Sequence, residues 1–145
     1  MKNSMGDEVV VDASVAVDWL LPGSGSAAAA ALVRGGERRV APELIFVEFN
    51  SAAARFVRRR QVSDAVARQA IRRLPDLIDE ASGLGDLASP AHDLAAHHGF
   101  STYDAVYLVL ALRRGVPLVT ADAKLARRAV EVGLAGHVRL LTSEP

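Results

Sequence analysis

The chain of 145 residues carries 17 basic and 17 acidic side chains and a formal net charge of zero, so it is not drawn as a whole to polyanions. Half of its residues are hydrophobic and only 5% aromatic, which predicts a Val-, Leu- and Ala-built core within one domain over 1–145. The absence of cysteine excludes disulfides, thiolate zinc sites and a cysteine nucleophile. No apolar stretch of signal-peptide length precedes Asp12, and no run approaches the ~18 apolar residues of a membrane span; a cytoplasmic location with no membrane partner is expected.

Residues 1–7 read as a polar lead-in. Glu8 to Val11 is β-branched and unalternating, the pattern of a short buried strand, and Asp12 closes it. A helix follows over 13–20, stopped by Pro22 and Gly23, and an alanine-rich helix over 26–34 ends at Gly35-Gly36. Arg39 to Ala41 predicts a second strand, with Pro42 suited to the first turn of a long helix over 43–60. Ser63 caps a helix predicted to stop at Leu74, before Pro75, and Leu77 to Ala81 is assigned to a third strand. Helices are then expected over 86–98 and from Ser101 or Thr102 to Gly115, a strand over 116–120, a helix over 123–132 and a last strand over 137–141. Short apolar strands alternating with helices specify an α/β fold, a short parallel sheet flanked by helices on both faces.

Four acids lie inside or against apolar runs. Asp12 follows Val9-Val10-Val11, Glu48 interrupts the run from Leu44 to Phe49, Asp104 sits within Tyr103 to Leu112, and Asp122 follows Leu118-Val119-Thr120. A buried carboxylate is costly without a partner, and a cation is the usual one. Each also has a plain structural reading. Asp12 and Asp122 suit N-caps, Ser101-Thr102-Tyr103-Asp104 suits a capping box, and Glu48 suits an exposed position or a salt bridge to Arg55. Both readings stay open for each residue taken singly. In a doubly wound sheet, however, ligands bind at the carboxyl ends of strands, where Asp12 and Asp122 fall, with Asp104 near the same edge. Hard oxygen donors there suit one or two Mg²⁺ or Mn²⁺ ions and therefore phosphoryl transfer. Ser14 and Thr120, two residues after one acid and two before another, are placed to orient carboxylates or waters.

The segments Val10-Val11-Asp12-Ala13-Ser14, Ala41-Pro42-Glu43-Leu44 leading to Glu48, Ser101-Thr102-Tyr103-Asp104-Ala105 with Tyr107-Leu108, and Val119-Thr120-Ala121-Asp122 resemble, in order and spacing, the successive motifs of PIN-domain ribonucleases. The nearest subgroup is the VapC-type toxin of toxin–antitoxin pairs. The resemblance implies a three-layer α/β/α fold in which Asp12, Glu48, Asp104 and Asp122 bind Mg²⁺ or Mn²⁺ and cleave RNA by hydrolysis. Ser14 and Thr120 match the polar positions beside the first and last acids. It also implies a homodimer, a cognate VapB-like antitoxin laid over the site, and structured RNA such as transfer or ribosomal RNA as substrate. Two positions depart from the usual pattern: Ser51 stands where many relatives carry Asn, and Asp18 where a base often precedes the Trp.

The basic residues are 15 Arg and 2 Lys; Arg55, Arg58, Arg59 and Arg60 make a basic end to the long helix, and Arg72-Arg73, Arg113-Arg114 and Arg127-Arg128 are further pairs late in predicted helices, where the macrodipole favours cations and where salt-dependent phosphate contact is the alternative reading. That placement puts most of them on the edge opposite the acids. Among rival readings, Gly23-Ser24-Gly25-Ser26-Ala27-Ala28 fits a dinucleotide fingerprint, but it follows an intervening helix instead of the first strand and is rejected. A PIN-fold nuclease of RNA processing and a catalytically silent PIN-like binding module remain as alternatives.

Overall fold

The computed structural model describes residues 7–22 and 26–141. The lead-in before Asp7 and the Gly23–Gly25 part of the rejected fingerprint lie outside the described residues. Five strands form one sheet: β1 (Glu8–Val11), β2 (Arg38–Pro42), β3 (Glu80–Ser82), β4 (Leu118–Thr120) and β5 (Val138–Leu140). All four pairings are parallel, in the order β3-β2-β1-β4-β5. β1 is central because Val9, Val10 and Val11 are fully buried, which only a strand covered on both faces permits.

Seven α-helices among the described residues cover the sheet. α1 (Ala13–Leu20), α2 (Ser26–Arg34), α3 (Leu44–Arg58) and α4 (Asp64–Leu77) connect β1 to β2 and β2 to β3, α5 (Gly85–His98) and α6 (Thr102–Arg114) carry the chain from β3 back across the sheet to β4, and α7 (Ala123–Glu131) joins β4 to β5. Right-handed crossovers running in opposite directions across the sheet send α1–α4 and α5–α7 to opposite faces, giving three layers. The packing agrees: α1 meets α2, α3 and α4, while α5 lies along α6. α6 is buried without interruption from Ala105 to Ala111, since it is held between α5 and strands β1, β2 and β4. A second apolar cluster joins Ala16, Phe49, Ala53, Ala70 and Leu74 beneath the α3–α4 hairpin. No helix among the described residues is long and apolar enough to cross a membrane.

Two boundaries differ most from those predicted, the end of α4 and the start of β3. α4 runs through Pro75 to Leu77, because a proline in the last turn of a helix sacrifices only one hydrogen bond. The third strand consequently starts at Glu80, with Ala81 paired to Ala41. The Arg39 guanidinium donates to the Leu77 carbonyl at 2.6 Å, satisfying the end of α4 that the proline disturbs.

At the amino ends of the strands, two arginines each bridge two glutamates. Arg38 donates to Glu8 and Glu80 at 2.7 Å each, and Arg114, at the end of α6, donates to Glu8 at 2.7 and 3.0 Å and to Glu80 at 3.2 and 3.3 Å. This ring joins β1, β2, β3 and α6. Arg114, one of the clustered arginines, is therefore a structural residue.

Candidate active site

At the other end of the sheet the chain turns left from β1 to β2, whereas β4 lies to the right of β1. This is the point where strand order reverses, and a crevice must open between the two connections. Asp12 and Asp122 are the residues that leave β1 and β4 there.

Asp12 is the N-cap of α1 and also the centre of a hydrogen-bond cluster. Its Oδ1 accepts from the Ser14 amide at 3.0 Å and from the Ser14 hydroxyl, and its Oδ2 accepts from the Thr120 hydroxyl at 2.6 Å. Each hydroxyl is fixed from behind by the backbone: Ala121 N–H donates to Ser14 Oγ at 2.8 Å, and Asp122 N–H to Thr120 Oγ1 at 3.0 Å. Both hydroxyl protons are thus spent on Asp12. The Ser14 Oγ to Thr120 Oγ1 approach of 3.2 Å is a contact between two acceptor-oriented oxygens. Ser14 and Thr120, singled out in the sequence beside two of the acids, both contact the Asp12 carboxylate.

Asp122 caps α7, its Oδ1 accepting from the amides of Lys124 at 2.9 Å and Leu125 at 3.3 Å. Asp104 lies in the first turn of α6, where the Ser101 hydroxyl caps the helix by accepting from the Asp104 amide at 3.0 Å. For Asp12 and Asp122 the capping reading and the site reading coincide, because a cap at a strand's carboxyl end holds its carboxylate at the crevice, whereas Asp104 reaches the crevice from the first turn of α6, behind the Ser101 cap. Glu48 departs from the salt bridge to Arg55 weighed above. Its Oε1 accepts from the Tyr107 hydroxyl at 2.6 Å, across 59 positions of sequence. Arg55 lies two turns further along α3, out of reach of that carboxylate.

All four acids line a single cleft of about 450 Å³, together with Ser14, Ser51, Arg55, Phe56 and Tyr107. Burial, the largest influence, raises the Asp12 pKa from 3.8 to about 6 against the hydrogen bonds from Ser14 and Thr120, and the Asp104 charge adds to the rise. Asp104 is raised by burial first, then by the charges of Asp122 and Glu48. The acids therefore repel one another, and among the described residues no three acidic or histidine side chains stand close enough to hold one ion together. An ion would have to draw them inward. The donor set nevertheless fits a hard divalent cation: Asp12 is only 5% exposed, its hydrogen-bond partners are neutral hydroxyl and amide groups, and the nearby carboxylate of Asp104 disfavours its ionised form.

Sequence reasoning named Tyr107 only as part of a motif. The missed signal was its spacing, three residues after Asp104, which puts it on the same face of α6. Burial and Glu48 raise the pKa of the 1% exposed phenol, so it remains a donor. Replacing Thr120, which is fully buried, with valine keeps its shape while orphaning the Asp122 amide and removing a donor to Asp12. We expect Thr120→Val to cost about 1–3 kcal/mol in urea unfolding, more at pH 8 than at pH 5 because the ionised Asp12 loses more. Unchanged unfolding at both pH values would contradict this account of the cluster.

The PIN domain profile matches residues 9–131, a span that begins in β1 and ends with α7. The chain belongs to the PIN-domain family. Two relatives of this PIN domain come from Mycobacterium tuberculosis (strain ATCC 25618 / H37Rv). Ribonuclease VapC1 is 36% identical over 126 residues, covering 83% of this chain and 90% of that protein. Ribonuclease VapC12 is 33% identical over 119 residues, covering 82% and 90%. Identity over most of both chains groups this PIN domain with the VapC ribonucleases. The crystal structure of PAE2754 from Pyrobaculum aerophilum superposes with a TM-score of 0.67 over 91% of this chain and 92% of that one; at 21% identity the likeness is one of fold.

Proposed function

We propose that residues 1–145 act as one PIN unit, a divalent-metal-dependent endoribonuclease that serves as the toxin of a toxin–antitoxin pair. The observation that carries this reading is the convergence of Asp12, Glu48, Asp104 and Asp122 on one cleft at the point where strand order reverses. Their grouping with chains named as VapC ribonucleases supports RNA as the substrate.

In this reading Asp12, Glu48, Asp104 and Asp122 hold one or two Mg²⁺ or Mn²⁺ ions. The bound metal would supply Lewis-acid activation of water and charge neutralisation at the scissile phosphate. The chain's own contribution is positioning. Thr120 and Ser14 orient Asp12 and oppose the effect of burial on its charge by donating to both of its oxygens, Tyr107 holds Glu48 toward the cleft, and the α7 cap fixes Asp122. A VapB-like antitoxin and a second copy of the chain are the proposed protein partners, and structured RNA, transfer or ribosomal, the proposed target.

Among the described residues that line the cleft there is no histidine, and with the four carboxylates assigned to the metal, attack by an activated water is favoured over attack by the 2′-hydroxyl. The test is cleavage of total cellular RNA by antitoxin-free protein with Mg²⁺, Mn²⁺ or EDTA. Discrete metal-dependent cuts with 5′-phosphate and 3′-hydroxyl ends are expected. Cuts that persist in EDTA, or 2′,3′-cyclic phosphate ends, would overturn the metal hydrolysis. A folded protein that neither cuts RNA nor binds Mn²⁺ would point to the silent binding module.

A further inference from the structure

The cleft has a second half that the four converging acids do not occupy. Beyond Glu48 it is lined by Val17, Asp18, Ser51, Ala52, Arg55 and Phe56, contributed by α1 and α3. Glu48, Ser51 and Arg55 follow one another at intervals of three and four residues, so they share one face of α3. At 1.5 Å per residue, Arg55 lies about 10 Å along the helix from Glu48. α3 packs on α1 and α4 more than on the sheet, which keeps its later turns beside the cleft. Arg55 thus departs from the expectation that helix-end arginines fall on the edge opposite the acids.

Arg55 is the only cation among the described residues that line the cleft. The arginines that serve the scaffold are all engaged: Arg38 and Arg114 in the glutamate ring, Arg68 with Asp64, Arg139 with Glu37, and Arg73 stacked 5.0 Å over the Trp19 ring. Arg55 is exposed and enters no salt bridge among the described residues. A strand of phosphates entering a cleft lined by Asp18 as well as the four converging acids meets repulsion, and metal at those four relieves it only at the scissile phosphate. The neighbouring phosphate needs a cation of its own.

We propose that Arg55, with the Ser51 hydroxyl beside it, forms a phosphate subsite that holds the RNA backbone one to two nucleotides from the scissile bond. This rests on the ribonuclease reading above. Phe56 and Val17 supply an apolar wall at the same end, against which an unpaired base can lie. A cleft of about 450 Å³ accepts one or two nucleotides and no helix, so the substrate class at this subsite is a single-stranded segment of RNA.

The test compares Arg55→Gln, Arg55→Lys and, as a control outside the cleft, Arg58→Gln, each in the cleavage-silent Asp12→Asn background. Binding of a labelled mixed-sequence single-stranded RNA oligonucleotide is measured across a salt series. Arg55→Gln is expected to weaken binding about tenfold and to reduce the slope of log affinity against log salt by about 0.7, the value for one phosphate contact on a single strand. Arg55→Lys restores the slope with only part of the affinity, and Arg58→Gln leaves both near the parent. In the otherwise wild-type chain, Arg55→Gln leaves Mn²⁺ affinity by calorimetry within twofold, since the acids are untouched. If Arg55→Gln matches Arg58→Gln in affinity and slope while the wild-type chain still cleaves RNA, the subsite is refuted and the ribonuclease reading stands. If the wild-type chain neither binds nor cleaves RNA, both fall together.

Discussion

Asp12→Asn is expected to reduce metal-dependent RNA cleavage by on the order of 10³-fold or more while raising the stability of the metal-free protein. The two effects share a cause. Asparagine caps a helix as well as aspartate, so the bond from the Ser14 amide survives, and the two hydroxyls can turn to suit the amide. What is removed is a buried charge. With a folded pKa of about 6 against an unfolded value near 3.8, Asp12 binds its proton more tightly in the folded chain. Its contribution is therefore favourable at low pH and is lost as pH rises through about 6. Above that it amounts to a penalty of about 3 kcal/mol. Thermal unfolding in EDTA should then show the variant about 10 °C more stable than wild type at pH 8 and nearly equal to it at pH 4. Mn²⁺ at pH 8 should raise the melting temperature of the wild type only. Parallel curves for the two proteins from pH 4 to 8 would show that Asp12 carries no such strain.

Arg114→Met is the complementary experiment at the opposite end of the strands. It removes four hydrogen bonds from Glu8 and Glu80 and leaves two carboxylates sharing Arg38 alone. The Glu8 side chain is only 16% exposed, so water replaces little of what is lost. The expected cost is about 2 kcal/mol in urea unfolding at pH 7, below that of a fully buried pair because Glu80 is 39% exposed. Hydrogen bonds from Arg114 and Arg38 hold the pKa of Glu8 and Glu80 below the ordinary value. The stability they supply is thus present above about pH 4.5 and lost as pH falls further, so the variant should be less sensitive to acid than wild type. Glu8 is four residues from Asp12 along β1, about 13 Å, and cleavage per folded molecule should be unchanged. A loss of cleavage without a loss of stability would mean that the ring communicates with the cleft.

Much of this arrangement was legible in the sequence, for reasons that differ by element. β1 and β4 announce themselves because strands covered on both faces need unbroken apolar runs, and the acids stand out as the charges that end or interrupt such runs. β3 had no such signature. Glu80-Ala81-Ser82 is an edge strand, exposed at Ala81, and its register is set by pairing with β2. The passage of α4 through Pro75 was hidden for a similar reason, since the Arg39 side chain that completes it arrives from 38 residues away. In the cleft, Asp12, Asp104 and Asp122 were marked by local capping patterns. The partner of Glu48 was not, because nothing near position 48 encodes a phenol delivered by α6. Arg55 was obscured by its company among Arg58, Arg59 and Arg60, and only the path of α3 separates it from them.

The Thr120 hydroxyl and the Asp12 carboxylate that it supports are 108 positions apart in the chain. A growing polypeptide therefore carries Asp12, Glu48 and even Asp104 well before it has β4 to set beside β1. Until Leu118–Thr120 pairs with Val10 and Val11, Asp12 lacks one of its donors and Asp122 has no fixed position. A chain interrupted anywhere before β4 keeps at most three of the four acids and has no completed site. For a protein whose proposed target is the RNA of the translation apparatus, that order of assembly withholds the cutting edge until β4 has been synthesised.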